Sequence, residues 1–213
     1  MRTLLYIVRH GHSKGNDTKT FYGHFDGPLT QKGHEQAQRV MNFFKDKRID
    51  AVYSSDLIRA VDTVKPTAQS KGLEVIGDKR LREIYAGAWE NRNIDELIVE
   101  YPEEYGVWRN DKANSRCTNG ESVRELSERF INALADIAQK NAGKNIIIGT
   151  HATPIMLLKP VVLGLPLENM NNQSYVLNAS VTTVSYERGK WELMNYGEES
   201  HLIGLETVMA KGF

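Results

Sequence analysis

Five side chains that could take part in group transfer each lie shortly after the end of a short apolar segment: Arg9, His10, Arg59, Glu83 and His151. Two guanidinium groups offer forked N–H donors that match the oxygens of a phosphate group. A neutral imidazole can attack phosphorus, and neighbouring guanidinium groups disfavour the protonated ring. A carboxyl group can protonate a departing alkoxide and then deprotonate water. Together these residue types predict phosphoryl transfer through a histidine, with fixed cations rather than a metal ion stabilising the transferring group.

Each of these residues, taken singly, is more simply explained as an ordinary loop or surface residue. Their joint placement is what favours a functional interpretation. Residues 3–8, 51–53, 73–76 and 145–149 are short and mostly apolar, as is typical of strands buried on both faces of a parallel sheet. Ligands of such sheets bind beyond the carboxyl ends of the strands. If the four strands are neighbours, all five side chains converge on one edge of the sheet.

Helical patterns lie between the predicted strands. Apolar residues recur at helical spacing in residues 37–44, 57–68 and 126–137. Pro66 lies inside the second pattern and is expected to kink or shorten that helix. Residues 154–163 predict a further short helix. Because strands alternate with helices, the sequence predicts an α/β fold, a three-layer α/β/α sandwich with a mostly parallel central sheet.

Two segments depart from this alternation. Residues 181–186 and 191–196 flank a short polar turn and predict an antiparallel edge hairpin. Residues 84–119 are polar, helix-prone and rich in large aromatic side chains. We interpret them either as a helical excursion, or lid, over the active-site end of the sheet, or as a peripheral helical pair with a small core of its own. Residues 1–213 are expected to form a single domain.

Composition narrows the classes of function. The 213 residues include 27 basic and 27 acidic side chains, so the formal net charge is zero, whereas a nucleic-acid or membrane-surface binder normally has a basic excess. A single cysteine, Cys117, excludes an intramolecular disulfide scaffold. No apolar run reaches the roughly 20 residues of a membrane span, and the apolar run near the start is too short for a signal peptide. We therefore expect a cytoplasmic protein that binds neither nucleic acid nor membrane; its oligomeric state is not indicated.

Five spaced blocks of sequence occur in a fixed order: Arg9-His10-Gly11, Ser54-Ser55-Asp56-Leu57 with Arg59-Ala60, Leu81-Arg82-Glu83 with Gly87 and Trp89-Glu90, Gly120-Glu121-Ser122, and Thr150-His151. In this order they resemble the histidine phosphatase superfamily, which includes the cofactor-dependent phosphoglycerate mutases and many small phosphatases. One triplet alone recurs by chance. Five blocks in the same order make the resemblance specific, and the resemblance covers nearly the whole chain, from about residue 4 to residue 201.

The resemblance implies roles at the matching positions. His10 would be the phosphorylated nucleophile and Glu83 the proton donor, and the catalytic set would be completed by Arg9, Arg59 and His151. The substrate-binding residues would be Arg9, Asn16, Tyr22, Gly23, Arg59, Glu83 and His151. Neither the chemistry nor the resemblance calls for a metal ion or another cofactor.

Two positions depart from the family's pattern. His12 stands where the family usually has Glu or Gln, and Ala152 stands where it usually has Gly. A second imidazole raises the question of which ring attacks, and the position of His10 directly after Arg9 favours His10. For His12 we expect a structural or substrate-contact role. The methyl group of Ala152 is expected to narrow the approach to the phosphate slightly.

Three functions are compatible with these observations. The first is a phosphatase that hydrolyses a small phosphorylated metabolite; the short spacing from Glu83 to Trp89-Glu90 resembles the phosphatase branch. The second is a cofactor-dependent phosphoglycerate mutase. Mutases usually follow the acidic residue with Arg-His-Tyr-Gly, which is absent here, but they also need cations in the inserted region to hold a carboxylate. The excursion does contain such cations: Arg92, Arg109, Lys112 and Arg116. The third is a catalytically silent phosphate-binding adaptor, which would need neither a nucleophile nor an acid.

Overall fold

The structure, a computed structural model, describes residues 1–207 of the chain. Within them eight strands form: β1 (Thr3–Arg9), β2 (Thr20–Phe21), β3 (Ala51–Ser54), β4 (Val75–Gly77), β5 (Arg92–Asn93), β6 (Asn145–Thr150), β7 (Val181–Glu187) and β8 (Lys190–Glu198). The same residues form seven α-helices: α1 (Lys14–Asp17), α2 (Gln31–Phe43), α3 (Ile58–Ser70), α4 (Ile94–Glu100), α5 (Pro102–Asn110), α6 (Val123–Lys140) and α7 (Ala152–Val162).

Six strands form one sheet in the order β4-β3-β6-β1-β7-β8. The strands β4, β3, β6 and β1 are parallel. The strand β7 pairs antiparallel with β1, and β8 pairs antiparallel with β7, so these two form the predicted edge hairpin. The four predicted parallel strands are therefore neighbours, and their carboxyl ends meet at one edge.

The central strand β6 is buried on both faces, which explains its unbroken apolar run. Successive side chains of a strand point to opposite faces. Accordingly, Ile146 and Ile148 belong to the same buried cluster as Phe130 of α6. Ile147 belongs to a second cluster, with Val40 of α2 and residues of α3. Helices thus cover both faces of the sheet, and the predicted three-layer α/β/α sandwich is confirmed.

The excursion at residues 84–119 packs into the main core and has no separate core. Trp89, Tyr105 and Trp108 are fully buried and belong to the same cluster as Phe130. Trp108 also lines a pocket at the carboxyl ends of the strands. Of the two interpretations of this segment, the excursion over the end of the sheet is correct, and the peripheral pair with its own core is wrong.

Two local features differ from the expectations. The helix α3 runs through Pro66 to Ser70, so the proline does not shorten it. Thr67 and Ala68, just beyond the proline, are buried, and their packing holds the last turn in place. The short strands β2 and β5, which were not predicted, pair with each other and attach the segment after β1 to the excursion.

The expectation that residues 1–213 form a single domain stays a prediction, and residues 208–213 lie outside the described part of the chain. Among residues 1–207, none of the helices combines the length and the apolar character that a membrane crossing requires.

Trp89 joins the excursion to the core, because its ring contacts those of Phe21, Tyr105 and Trp108 at centroid distances of 5.6, 5.5 and 6.1 Å. We expect Trp89→Ala to lower the free energy of unfolding by about 3–5 kcal/mol, since the deleted ring leaves a cavity. Urea denaturation would measure this change. Val99→Ala, which truncates an exposed side chain of the same excursion, should change it by less than about 0.5 kcal/mol. Equal effects of the two substitutions would contradict the prediction.

Candidate active site

The strand order brings four of the predicted side chains to one edge of the sheet. Arg9 is the last residue of β1 and is in register with Thr150, the last residue of β6. The His10 N–H donates to the Thr150 carbonyl at 2.9 Å, and His151 follows Thr150 directly. On the other side of β6, β3 leads into α3, whose first turn carries Arg59. These four side chains therefore lie at one edge of the sheet, as the order of the strands predicted.

The His10 ring is oriented by its own turn. Its Nδ1 lies 2.7 Å from the carbonyl oxygen of Gly11, so Nδ1 carries the proton and Nε2 keeps its lone pair. Asn178 fixes the backbone by donating from Nδ2 to the His10 carbonyl at 3.0 Å. Burial, and then the guanidinium groups of Arg59 and Arg9, holds the pKa of His10 well below its ordinary value. At neutral pH His10 is therefore a neutral imidazole with an available Nε2.

Both arginines are almost completely buried, each only 1% exposed. Arg9 donates from Nη1 to the carbonyl of Val176 at 2.5 Å. Arg59 donates from Nη2 to the carbonyl of Gly23 at 2.7 Å and from Nη1 to that of Phe25 at 2.8 Å. Burial lowers the pKa of each arginine to about 10, so both are cationic at neutral pH. Because a carbonyl oxygen carries no net charge, these bonds orient the guanidinium groups without neutralising them.

His151 lies beside His10 but outside the pocket wall. It is fully buried, and the two ring centroids are 5.3 Å apart. Its Nε2 lies 2.8 Å from the Ser55 hydroxyl, while its Nδ1 has no hydrogen-bond partner among residues 1–207. Burial and Arg59 hold the pKa of His151 well below its ordinary value. If Ser55 donates to Nε2, the Nδ1 atom carries the proton and becomes a donor.

Backbone groups hold Glu83 in place. Its Oε1 accepts the N–H of Ile84 at 2.9 Å, and its Oε2 accepts the N–H of Thr153 at 3.2 Å. The Glu83 carbonyl accepts from Arg129 Nη2 at 3.1 Å and lies 2.9 Å from His24 Nε2. The carboxyl group that the sequence predicts as the acid is thus fixed at both its backbone and its side chain.

A single pocket contains most of the predicted set: Arg9, His10, Asn16, Tyr22, Gly23, Arg59 and Glu83. Asn16 accepts from the backbone N–H of Ser13 at 2.9 Å through Oδ1, which leaves its amide NH2 as a donor. The Tyr22 ring lies over the Arg59 guanidinium, 5.6 Å from ring centroid to Cζ. Within the described residues, no group of three or more His, Cys, Asp or Glu side chains is arranged to hold a metal ion.

Three aromatic residues of the pocket wall were not among the predicted site residues: Phe21, Trp108 and Tyr175. The aromatic richness of the excursion pointed towards Trp108. Tyr175 lies in an irregular segment without periodicity, so its sequence gives no signal. These rings form the aromatic part of the pocket wall.

The two departures from the family's pattern have different surroundings. His12 Nδ1 lies 3.0 Å from the Thr30 hydroxyl, and its Nε2 lies 3.7 Å from an Asp17 oxygen. His12 is outside the pocket wall, and these contacts support the structural role that the sequence suggested. Ala152, the first residue of α7, does line the pocket.

One cation of the excursion, Lys112, is buried next to the aromatic wall. The other three, Arg92, Arg109 and Arg116, are not buried. The Lys112 ammonium lies 3.9 Å from the centroid of the Trp108 ring and 5.2 Å from that of Tyr175. It has no hydrogen-bond partner in the described chain. Burial lowers the pKa of Lys112 to about 7.

The fold places a neutral histidine and two buried guanidinium groups together at the carboxyl ends of the parallel strands. A model of the histidine phosphatase superfamily (branch 1) matches residues 5–199. The probable phosphoglycerate mutase GpmB of Escherichia fergusonii is 35% identical over 207 residues, covering 93% of this chain and 94% of that protein. The chain belongs to the histidine phosphatase superfamily, as its motifs indicated.

Solved structures show the same fold. Bacillus stearothermophilus YhfR superposes with a TM-score of 0.90 at 28% identity, covering 94% of this chain and 99% of that one. The alpha-ribazole phosphatase from Shigella flexneri superposes with a TM-score of 0.82 at 30% identity, covering 93% and 96% of the two chains. Proteins named as phosphatases and proteins named as probable mutases are therefore both similar to this chain.

The surroundings of His10 generate a prediction about its ionisation. Because burial and two cations oppose protonation, its ring should stay neutral as the pH falls through the ordinary value of 6.5. Arg59→Met should raise the pKa of His10, since it removes the larger of the two guanidinium effects. Arg39→Met, which removes an exposed arginine, should leave it unchanged. NMR titration of the histidine rings tests this, and a wild-type His10 that titrates at its ordinary value would contradict the assignment.

Proposed function

We propose that the protein is a metal-independent phosphatase that hydrolyses a small phosphomonoester through a phosphohistidine on His10. The observation that carries the proposal is the neutral His10 ring, with Nε2 available, between the buried cations Arg9 and Arg59. Glu83 lies in the same pocket and supplies a carboxyl group. Similarity to proteins named as phosphatases supports the hydrolytic form of the reaction.

The proposed reaction has two steps that balance. First, His10 Nε2 attacks phosphorus and the bond from phosphorus to the leaving oxygen breaks, while protonated Glu83 gives its proton to that oxygen. Second, water attacks the phosphohistidine, Glu83 takes a proton from the water, and the P–N bond breaks. Inorganic phosphate leaves, and both side chains return to their starting forms. Arg9 and Arg59 bind the phosphoryl oxygens throughout, where fixed cations stabilise the charge of the transition state.

The remaining predicted residues have supporting roles in this proposal. Asn16 donates from its amide to a phosphoryl oxygen, and Tyr22 and Gly23 line the mouth of the pocket. His151 contributes through Nδ1, the ring atom that Ser55 does not occupy. Because His151 lies outside the pocket wall, we propose that it contacts the phosphoryl group of the phosphohistidine intermediate and not the leaving group.

A cofactor-dependent phosphoglycerate mutase is the alternative that a specific observation favours. The relative GpmB is named as a probable mutase, and the buried Lys112 ammonium beside Trp108 is a cation of the kind that could attract a substrate carboxylate. A mutase must exclude water from its phosphohistidine and return the phosphoryl group to its substrate. The adaptor hypothesis has less support, because a binder needs neither a positioned Nε2 nor a fixed carboxyl group.

The natural substrate is a small phosphorylated metabolite in this proposal, and its leaving group meets the aromatic wall of Phe21, Trp108 and Tyr175. A cytoplasmic location is part of the same proposal. It rests on the single cysteine and the balanced charge.

Covalent phosphorylation of His10 is the first test. Rapid quenching with a labelled phosphomonoester should trap an acid-labile, base-stable adduct on His10, and His10→Ala should be folded but inactive. His12→Ala should retain turnover, because that ring is outside the pocket wall. Label on a serine or on His12 would overturn the assignment.

The same protein, assayed with p-nitrophenyl phosphate in EDTA, separates the three functions. A phosphatase turns over repeatedly. A mutase hydrolyses slowly, is primed by a bisphosphate and isomerises a phosphoglycerate, whereas an adaptor only binds phosphate. Loss of activity in EDTA with recovery on adding Mg²⁺ would contradict the metal-independent mechanism.

Glu83→Gln provides a second test, because the rate enhancement from acid catalysis depends on the leaving group. For alkyl phosphates the substitution should lower kcat by about 10²–10⁴-fold. For p-nitrophenyl phosphate, whose phenolate departs without a proton, the loss should be much smaller. The glutamine keeps an oxygen that can accept the N–H of Ile84 or Thr153. Equal losses on both substrates would mean that Glu83 orients another group instead.

A further inference from the structure

The carboxylate of Glu90, which does not line the pocket, holds a loop that does. Its Oε1 accepts the backbone N–H groups of His24 and Ala86, both at 2.8 Å. Its Oε2 accepts the N–H of Phe25 at 2.6 Å. One carboxylate thus attaches residues 22–25, which we call the mouth loop, to the turn that opens the excursion.

The peptide groups that Glu90 holds also reach Arg59. The N–H of His24 and the carbonyl of Gly23 belong to one peptide group. Its N–H donates to Glu90, and its carbonyl accepts from Arg59 Nη2 at 2.7 Å. In a planar trans peptide the N–H and the carbonyl point in opposite directions. A carboxylate that fixes the N–H therefore aims the carbonyl at the guanidinium group.

Gly23 makes this peptide group dependent on an external restraint. Its φ is +54°, a conformation that glycine adopts without strain, and its two flanking peptide groups rotate more freely than those of any other residue. A Cβ at this position would lie 2.4 Å from Glu90 Oε1. The carboxylate can approach this closely only because residue 23 is a glycine. Because glycine itself restrains the peptide little, the hydrogen bond to Glu90 determines how the Gly23–His24 peptide is oriented.

We propose that Glu90 is a positioning residue for Arg59, which acts through the Gly23–His24 peptide and determines which guanidinium N–H groups face the phosphoryl group. The effect on turnover rests on the function proposed above. The coupling between Glu90 and Arg59 does not, because it is a property of the protein without substrate.

A double-mutant cycle in Glu90→Gln, Arg59→Met and the double variant tests the proposal. The glutamine side chain is nearly isosteric, but it is neutral, so the bond from the His24 N–H loses its charge assistance, and its NH2 cannot accept from a backbone N–H. We expect each single variant to weaken the affinity for inorganic phosphate by about 10- to 100-fold, as for loss of a charge-assisted hydrogen bond. The double variant should be no weaker than Arg59→Met. With p-nitrophenyl phosphate, Glu90→Gln should change KM more than kcat.

Glu96→Gln is the matched control. It removes an exposed carboxylate of the same excursion that pairs with Arg92 and not with a mouth-loop N–H, and it should leave phosphate affinity unchanged. Additive losses in the double variant, or a lower melting temperature of Glu90→Gln with unchanged phosphate affinity, would overturn the proposal.

A third readout separates this inference from the proposed function. In the protein without ligand, Glu90→Gln should shift the NMR signal of the Arg59 Nε–H group, while that of the exposed Arg39 stays in place. An unchanged Arg59 signal would overturn the coupling. A shifted Arg59 signal, in a protein that neither turns over phosphomonoesters nor binds phosphate, would leave the coupling standing and reject the proposed function.

Discussion

The arrangement of the site depends on one electrostatic constraint: two guanidinium groups must stay charged while almost completely buried. Removing a cation from water costs several kcal/mol, and a carboxylate partner would offset that cost but cancel the charge. Here carbonyl oxygens orient the two groups: Arg59 donates to the carbonyls of Gly23 and Phe25, and Arg9 donates to that of Val176. The negative field of Glu83 also favours the charged form of both arginines.

Burial first, and then the positive field of the guanidinium groups, determines the protonation state of the histidines. His10 and His151 are buried close to the two guanidinium groups, and the pKa of each is held well below its ordinary value. A protonated His10 could not attack phosphorus, so in the proposed reaction burial and the two cations together keep the nucleophile in its reactive form. Parallel strands are suited to this arrangement, because β1 and β6 deliver Arg9, His10 and His151 to one edge without a long loop.

Arg9, His10 and His151 could be predicted because they directly follow apolar runs, and such runs are the clearest local signal of buried strands. The contacts that orient those residues join distant parts of the chain and have no local pattern. Three hydrogen bonds are of this kind: Ser55 with His151, Arg129 with the Glu83 carbonyl, and Glu90 with the His24 N–H. Pro66 shows the limit of a local rule, since α3 continues through it to Ser70.

The two halves of the pocket come from different parts of the fold, and this separation bears on specificity. Strand ends and the first turn of α3 supply the groups for the phosphoryl half. The excursion supplies Trp108, and Lys112 packs against the Trp108 ring. Burial lowers the pKa of Lys112 to about 7, so the charge of this group depends on its surroundings. In the proposed function, the excursion therefore adjusts the contacts of the leaving group separately from the reaction at His10.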